Sequence, residues 1–187
     1  MGRSFVRLEY QKSYAPLLLL WKGIGRFLVE NPHYKTLFGP VSITDDYQAV
    51  SKQLITVFLK ANRYRSDLAE MVKPRKPLRR GTIKDVNINT VIWVMRDDVD
   101  NVSDLISSIE KDRKGVPILL KHYLKLGGEI IGFNRDPAFG NVLDGLIMVD
   151  LTQTEPKMLE RYLGKEGAHR FLDYHQSAGA DAFAHCA

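Results

Sequence analysis

The chain has 187 residues, 44% of them apolar and 26% charged, a balance that suits one globular domain and excludes wholesale disorder and collagen-like or low-complexity classes. One cysteine, Cys186, excludes an intrachain disulfide framework and a cysteine-based zinc site and points to a reducing compartment. The net charge of +5, from 27 Lys+Arg against 22 Asp+Glu, suits an acidic protein, an anionic lipid or a nucleic acid as partner, and equally suits plain solubility.

Ser4 to Leu8 reads as a short extended segment. A polar turn follows, and then a helix in which Leu17, Leu20, Trp21, Ile24, Phe27 and Leu28 recur at three- and four-residue spacing. Pro16 suits its first turn and Asn31-Pro32 ends it. Tyr34 to Ile43 reads as a buried strand carrying Leu37, Phe38, Val41 and Ile43, with Gly39-Pro40 inside it predicting a bulge or splay. Thr44 suits an N-cap and Asp45-Asp46 a first turn, opening a helix with Tyr47, Val50, Leu54, Val57, Phe58 and Ala61 on one face. Lys73 to Gly81 is densely basic and holds two prolines. It reads either as a solvated loop or as a contact surface for phosphates or acidic side chains.

Val86 to Met95 reads as a strand or a mixed segment. Val102, Leu105, Ile106 and Ile109 mark a helix after Asp100, and Pro117 to Leu126 another, closed by Gly127-Gly128. Glu129 to Phe133 and Leu143 to Leu151 read as strands joined by a turn-rich Asn134–Asn141 connection. Pro156 to Leu163 is a short helix ended by Gly164, and a last helix spans Glu166 to His175. Ser177 to Ala187 reads as a frayed tail, so the folded domain is expected over 1–175 and a disordered tail over 176–187. The order of elements predicts an α/β or α+β fold with a mixed sheet flanked by helices.

No phosphate-loop glycine motif and no Gly-x-Ser-x-Gly elbow is present. Gly23 and Gly25 lie in mid-helix and predict close approach to a neighbour. The five histidines form no metal-type pair, so no metal is expected. The basic stretch lacks interleaved aromatics, so nucleic acid is not the expected partner. No apolar run is long enough to cross a membrane, and no signal-peptide core opens the chain. The polar turn with Gln11, Ser13 and Tyr14 leads into a helix whose first N–H groups carry partial positive charge, a place for the phosphates of a pantetheine-type donor. The Gly39-Pro40 interruption would let two strands separate around an extended ligand arm.

Gly2-Arg3-Ser4-Phe5-Val6-x-x-x-Tyr10-Gln11-x-Ser13-Tyr14, then Leu18-Leu19-Leu20-Trp21-Lys22-Gly23-Ile24, then Leu37-Phe38-Gly39-Pro40-Val41-Ser42-Ile43 together resemble the GNAT-fold lipid N-acyltransferases. That group includes the ornithine N-acyltransferases, often labelled hemolysin-like, and is more distantly related to acyl-homoserine-lactone synthases. Leu120-Lys121-x-Tyr123-Leu124-Lys125-Leu126-Gly127, Asp136-x-x-Phe139 and Val149-Asp150 extend the resemblance to about Tyr174. The glycines of the usual GNAT donor turn are absent from Gln11-Lys12-Ser13-Tyr14-Ala15-Pro16.

The resemblance implies a GNAT-like sheet in which the strand near Phe5 and the strand near Phe38 are parallel neighbours that diverge near Gly39. It implies transfer of an acyl group from acyl carrier protein or coenzyme A to an amine such as ornithine, in lipid biosynthesis, with no bound cofactor. Arg3 and Ser42 stand as catalytic candidates, Arg3 holding an acidic partner or substrate carboxylate and Ser42 meeting the oxyanion or the leaving thiol. Gln11, Lys12, Ser13, Tyr14 and Lys121 stand as donor-binding candidates. The other readings are an ion pair for Arg3, a strand-end hydroxyl for Ser42, a solvated face for Lys121 and a turn cap for Asp136. Family members carry a further N-terminal part with a Glu before the Gly-Arg pair, so the chain is expected to be a C-terminal portion, weakly active by itself. A non-catalytic remnant that binds carrier protein or membrane is the alternative. The implied partners are acyl carrier protein and an anionic membrane surface, and the implied place is the cytoplasm, with peripheral contact at the inner membrane face.

Overall fold

In β3, Val142–Asp150, the residues Leu143, Gly145, Ile147 and Val149 are buried while Asp144, Leu146 and Met148 are half-buried. That period of two is what a strand needs when one of its faces lies on a core. The computed structural model describes residues 7–10, 15–78 and 98–184, with side chains as far as Ser177. In it β3 is the centre of a three-stranded sheet between β1, Thr36–Ile43, and β2, Glu129–Asp136. β2 and β3 pair antiparallel, with Phe133 opposite Gly145 and Asn134 opposite Asp144. Ser42 meets Asp144, and Val41 lies against Gly145. Ascending numbers on β1 therefore meet descending ones on β3, and this pair is antiparallel too. Among the described residues the parallel contact is the isolated Tyr64–Ile130 bridge. The fold is α+β: an antiparallel sheet flanked by helices.

The register of β2 shifts between Ile130 and Gly132, so Ile131 is one residue more than β3 can match. The extra residue is why Ile130 and Phe133, three apart, are both in the core, an arrangement a regular strand forbids.

Two compact units make up the chain, residues 37–149 and residues 1–36 with 150–187. In the first unit, the sheet packs with α2 (Ala49–Asn62), α4 (Val99–Ile109) and α5 (Ile118–Lys125) around Val41, Ile43, Leu54, Ile55, Phe58, Val102, Ile106, Leu120, Ile130 and Ile147. α3 is a single turn, Ser66–Ala69. α5 closes as expected, with Gly127 at φ 84°.

Sequence expectations are corrected at several points of this unit. β1 is one continuous strand through Gly39 and Pro40, its expected divergence from the strand near Phe5 lying outside the described residues, and it is mostly not buried: Val41 and Ile43 are inside while Phe38 is 77% exposed. β1 is an end strand, where a proline without an N–H costs no ladder bond. α2 begins at Ala49 and not after Thr44, because the Thr44 hydroxyl bonds Asp46 instead of capping. The buried Glu110 carboxylate accepts from Gln48 N at 2.9 Å beside the helix start. The buried residues of α2 are Ser51, Leu54, Ile55, Thr56, Phe58 and Leu59, while Val50 and Ala61 of the expected face are exposed and Val57 is half-buried. The basic stretch is not a free loop at Lys76, whose N–H donates to Asn134 Oδ1 and whose C=O accepts from Arg135 N, each at 2.9 Å. With the Arg63 and Arg65 backbone bonds to Ile130, this covers the outer edge of β2 at two points.

The second unit holds α1 (Ala15–Glu30), α6 (Pro156–Leu163) and α7 (Lys165–Ala184). Trp21 is core, with its ring 5.3 Å from Tyr162. Gly25 faces the Tyr162 carbonyl so closely that a methyl would overlap it, whereas Gly23 faces open space. One of the two mid-helix glycines is therefore required by packing. α6 matches its expected span, and α7 continues to Ala184, beyond the expected end at His175. The strand near Phe5, its parallel pairing and the Val86–Met95 segment lie outside the described residues. No helix among the described residues is long and apolar enough to cross a membrane.

Candidate functional site

The face of the sheet turned away from the core carries one polar row. It crosses all three strands at the same level: Ser42 on β1, Asp144 on β3 and Asn134 on β2. Strand alternation places them there, since Val41 and Ile43 flank Ser42 on the core side, Leu143 and Gly145 flank Asp144, and Phe133 precedes Asn134 on that side. Ser42 Oγ donates to Asp144 Oδ1 at 2.6 Å, and Asn134 accepts from the Lys76 N–H. Ser42, Asp144 and Asn134 are all half-buried. Among the described residues Asp144 forms no ion pair. A carboxylate in mid-strand, oriented by a hydroxyl and without a cation, can hold an ammonium group and accept its proton. Asp144 belongs to none of the sequence motifs. Its signal was one acidic residue at an outward position between core positions Leu143 and Gly145.

Ser42 thus has a partner that the sequence could not show, and its proton is committed to Asp144. Lys121 lies in a different network, with its Nζ 2.7 Å from Asp100 Oδ1 and Lys125 Nζ 3.2 Å from Asp100 Oδ2. Asp136 caps the Pro137–Phe139 turn, accepting from Ala138 N at 2.9 Å, and Asp150 accepts from Thr152 N at 3.0 Å. Both aspartates of the later motifs are therefore local caps. Arg3, Gln11, Lys12, Ser13 and Tyr14 lie outside the described residues. Among the described residues no group of His, Cys, Asp and Glu could hold a metal ion.

The Lys121 ammonium first, and then that of Lys125, holds the Asp100 carboxyl below its ordinary value. Asp67 is held down to about 2 by the Arg65 guanidinium. A carboxyl lowered in the folded state stabilises it above the ordinary carboxylate range and loses that contribution as pH falls. The thermal midpoint should decline as pH is lowered from about 5 through about 2 and below, and Asp100→Asn should make that decline smaller. A variant with the same acid profile as the parent chain would show that the pair adds nothing.

The chain is 27% identical over 161 residues to the glycine N(alpha)-acyltransferase of Phocaeicola vulgatus, a match covering 82% of this chain and 48% of that protein. It is 30% identical over 157 residues to the glycine N(alpha)-acyltransferase of Bacteroides thetaiotaomicron, covering 80% of this chain and 45% of that protein. The chain spans about half the length of these curated relatives. No family model matches the chain. No solved structure matches it.

Proposed function

We propose that this chain takes part in N-acyl transfer, moving an acyl group from a thioester donor to the α-amino group of a small amino acid, glycine first. The observation that carries this reading is the similarity to two proteins named glycine N(alpha)-acyltransferase over four-fifths of the chain. The motif resemblance supports the same reaction type and differs in the acceptor, ornithine. In the proposed reaction the neutral amine attacks the thioester carbonyl. The N–C bond forms, the C–S bond breaks, and the amine proton passes by way of a base to the leaving thiolate. Asp144 is the group we assign to hold the ammonium and take its proton, with Ser42 as the residue that positions it. No covalent intermediate on the protein is required.

The test is amide formation above the uncatalysed background, read by mass spectrometry together with thiol release. Acyl-coenzyme A and acyl carrier protein are the two donors, glycine and ornithine the two acceptors. Product with glycine supports the reading, product with ornithine alone moves the acceptor, and no amide in any combination overturns it.

Acyl carrier protein and an anionic membrane surface are the partners we propose for the basic stretch. Arg75 and Lys76 are exposed, and Arg79 and Arg80 lie outside the described residues. Replacing all four with Ser should weaken carrier-protein binding several-fold at low salt and hardly at all at high salt, because the attraction is screened. Unchanged affinity at low salt would put the carrier surface elsewhere.

A further inference from the structure

Within the unit formed by residues 1–36 and 150–187, α1, α6 and the start of α7 enclose a cleft of about 780 Å³. The abrupt turn between α6 and α7 forms part of its lining. There Gly164 takes φ 77°, a conformation that favours glycine. Five cations line the cleft, Lys22, Arg26, Arg161, Lys165 and Arg170, against three carboxylates, Glu30, Glu160 and Glu166. Glu30 is engaged by Arg26, at 2.9 Å. Among the described residues Lys22, Lys165 and Arg170 make no ion pair. Elsewhere in the chain comparable side chains do meet carboxylates: Lys52 with Asp45, Lys114 with Asp46, Lys121 with Asp100. Glu160 and Glu166 likewise make no ion pair among the described residues, so three unengaged cations from two helices stand against two unengaged carboxylates, and the concavity keeps a net positive potential.

We infer that this cleft is a binding site for a phosphate group. A phosphate carries up to two charges on oxygens that a guanidinium and an ammonium can share, so it engages Lys22, Lys165 and Arg170 together better than a single carboxylate does. The group could be carried by a small phosphorylated molecule or by a lipid headgroup. The second source has its own support on α1. Leu19 and Phe27 are 67% and 49% exposed, within about a turn of Lys22 and Arg26, and would meet acyl chains while the cations meet headgroups. The inference stands apart from the acyl-transfer reading, since none of these residues belongs to the Ser42–Asp144 row.

The experiment has two arms. Pyrophosphate is titrated calorimetrically into the full chain, and the chain is co-sedimented with vesicles of phosphatidylglycerol and phosphatidylcholine. Each arm compares the parent chain with Lys22→Gln/Lys165→Gln/Arg170→Gln and with Glu166→Gln, after circular dichroism has shown that both variants are folded. The triple variant should bind about tenfold more weakly and Glu166→Gln about twofold more tightly, from the size of exposed charge contacts. Pyrophosphate binding lost in the triple variant assigns a small phosphorylated ligand, and loss confined to the vesicles assigns the headgroup. No binding in either arm, or binding that the triple variant keeps, overturns the inference.

Discussion

Asp144→Asn should lower kcat/KM for the acyl transfer proposed above about a hundredfold, the scale expected when a group that takes a proton in the transition state is lost. Asparagine keeps the shape and still offers an oxygen to the Ser42 hydroxyl, so the Ser42–Asp144 bond at 2.6 Å has a neutral equivalent. Asp144 is half-buried and faces away from the core. The thermal midpoint should therefore move little, and the loss is one of charge and basicity. Ser42→Ala should cost less, about tenfold, because it removes a positioning bond and leaves the carboxylate. Its effect should fall on kcat more than on KM, and Ser42→Thr should restore part of it. Full turnover by Asp144→Asn would remove this carboxylate from the reaction.

Gly115→Ala should be among the most damaging single methyl additions to stability. A Cβ there would overlap Ser103 Oγ and stand 3.0 Å from the Ser103 carbonyl oxygen. Neither atom is at the end of a flexible chain. Ser103 is buried in α4, and its Oγ is already fixed as the acceptor of Val116 N at 3.1 Å. The Gly115 carbonyl in turn accepts from the Tyr47 hydroxyl at 2.8 Å. Moving this peptide aside disturbs both bonds. The cost should be about 2–3 kcal/mol, the range of overpacking in a tight core. Tyr47→Phe, which deletes one hydroxyl, should cost about 1 kcal/mol. Urea midpoints at unchanged slope measure both, and a Gly115→Ala midpoint at or above that of Tyr47→Phe would show that the segment can shift freely.

Local signals made much of the helical framework readable. Pro156 and Gly164 bracket α6, and Gly127 ends α5, because a proline at a helix start and a glycine with positive φ past its end act through the adjacent backbone. The start of α2 was not readable in that way. Thr44 looks like a cap, but the carboxylate at the helix start comes from Glu110, 62 positions away from Gln48. The exposure of Phe38 was equally hidden, since the apolar pattern of β1 does not say that the strand lies at the end of its sheet. Ser42 stands out in the sequence by its place after Gly39-Pro40, yet its hydroxyl is bonded to Asp144, 102 positions on. No spacing within one strand reports a row that runs across three.

The extra residue at Ile131 has a consequence for how β2 tolerates changes of length. β3 supplies partners for Ile130 and Gly132 at successive positions, so a chain lacking Ile131 would pair in the same frame from Gly132 onward and keep Asn134 opposite Asp144. One residue more would need a second bulge or would slide Asn134 off that partner and carry Phe133 out of the core. The strand therefore carries one spare unit of length: a single deletion at this point is absorbed, and an insertion of the same size is not.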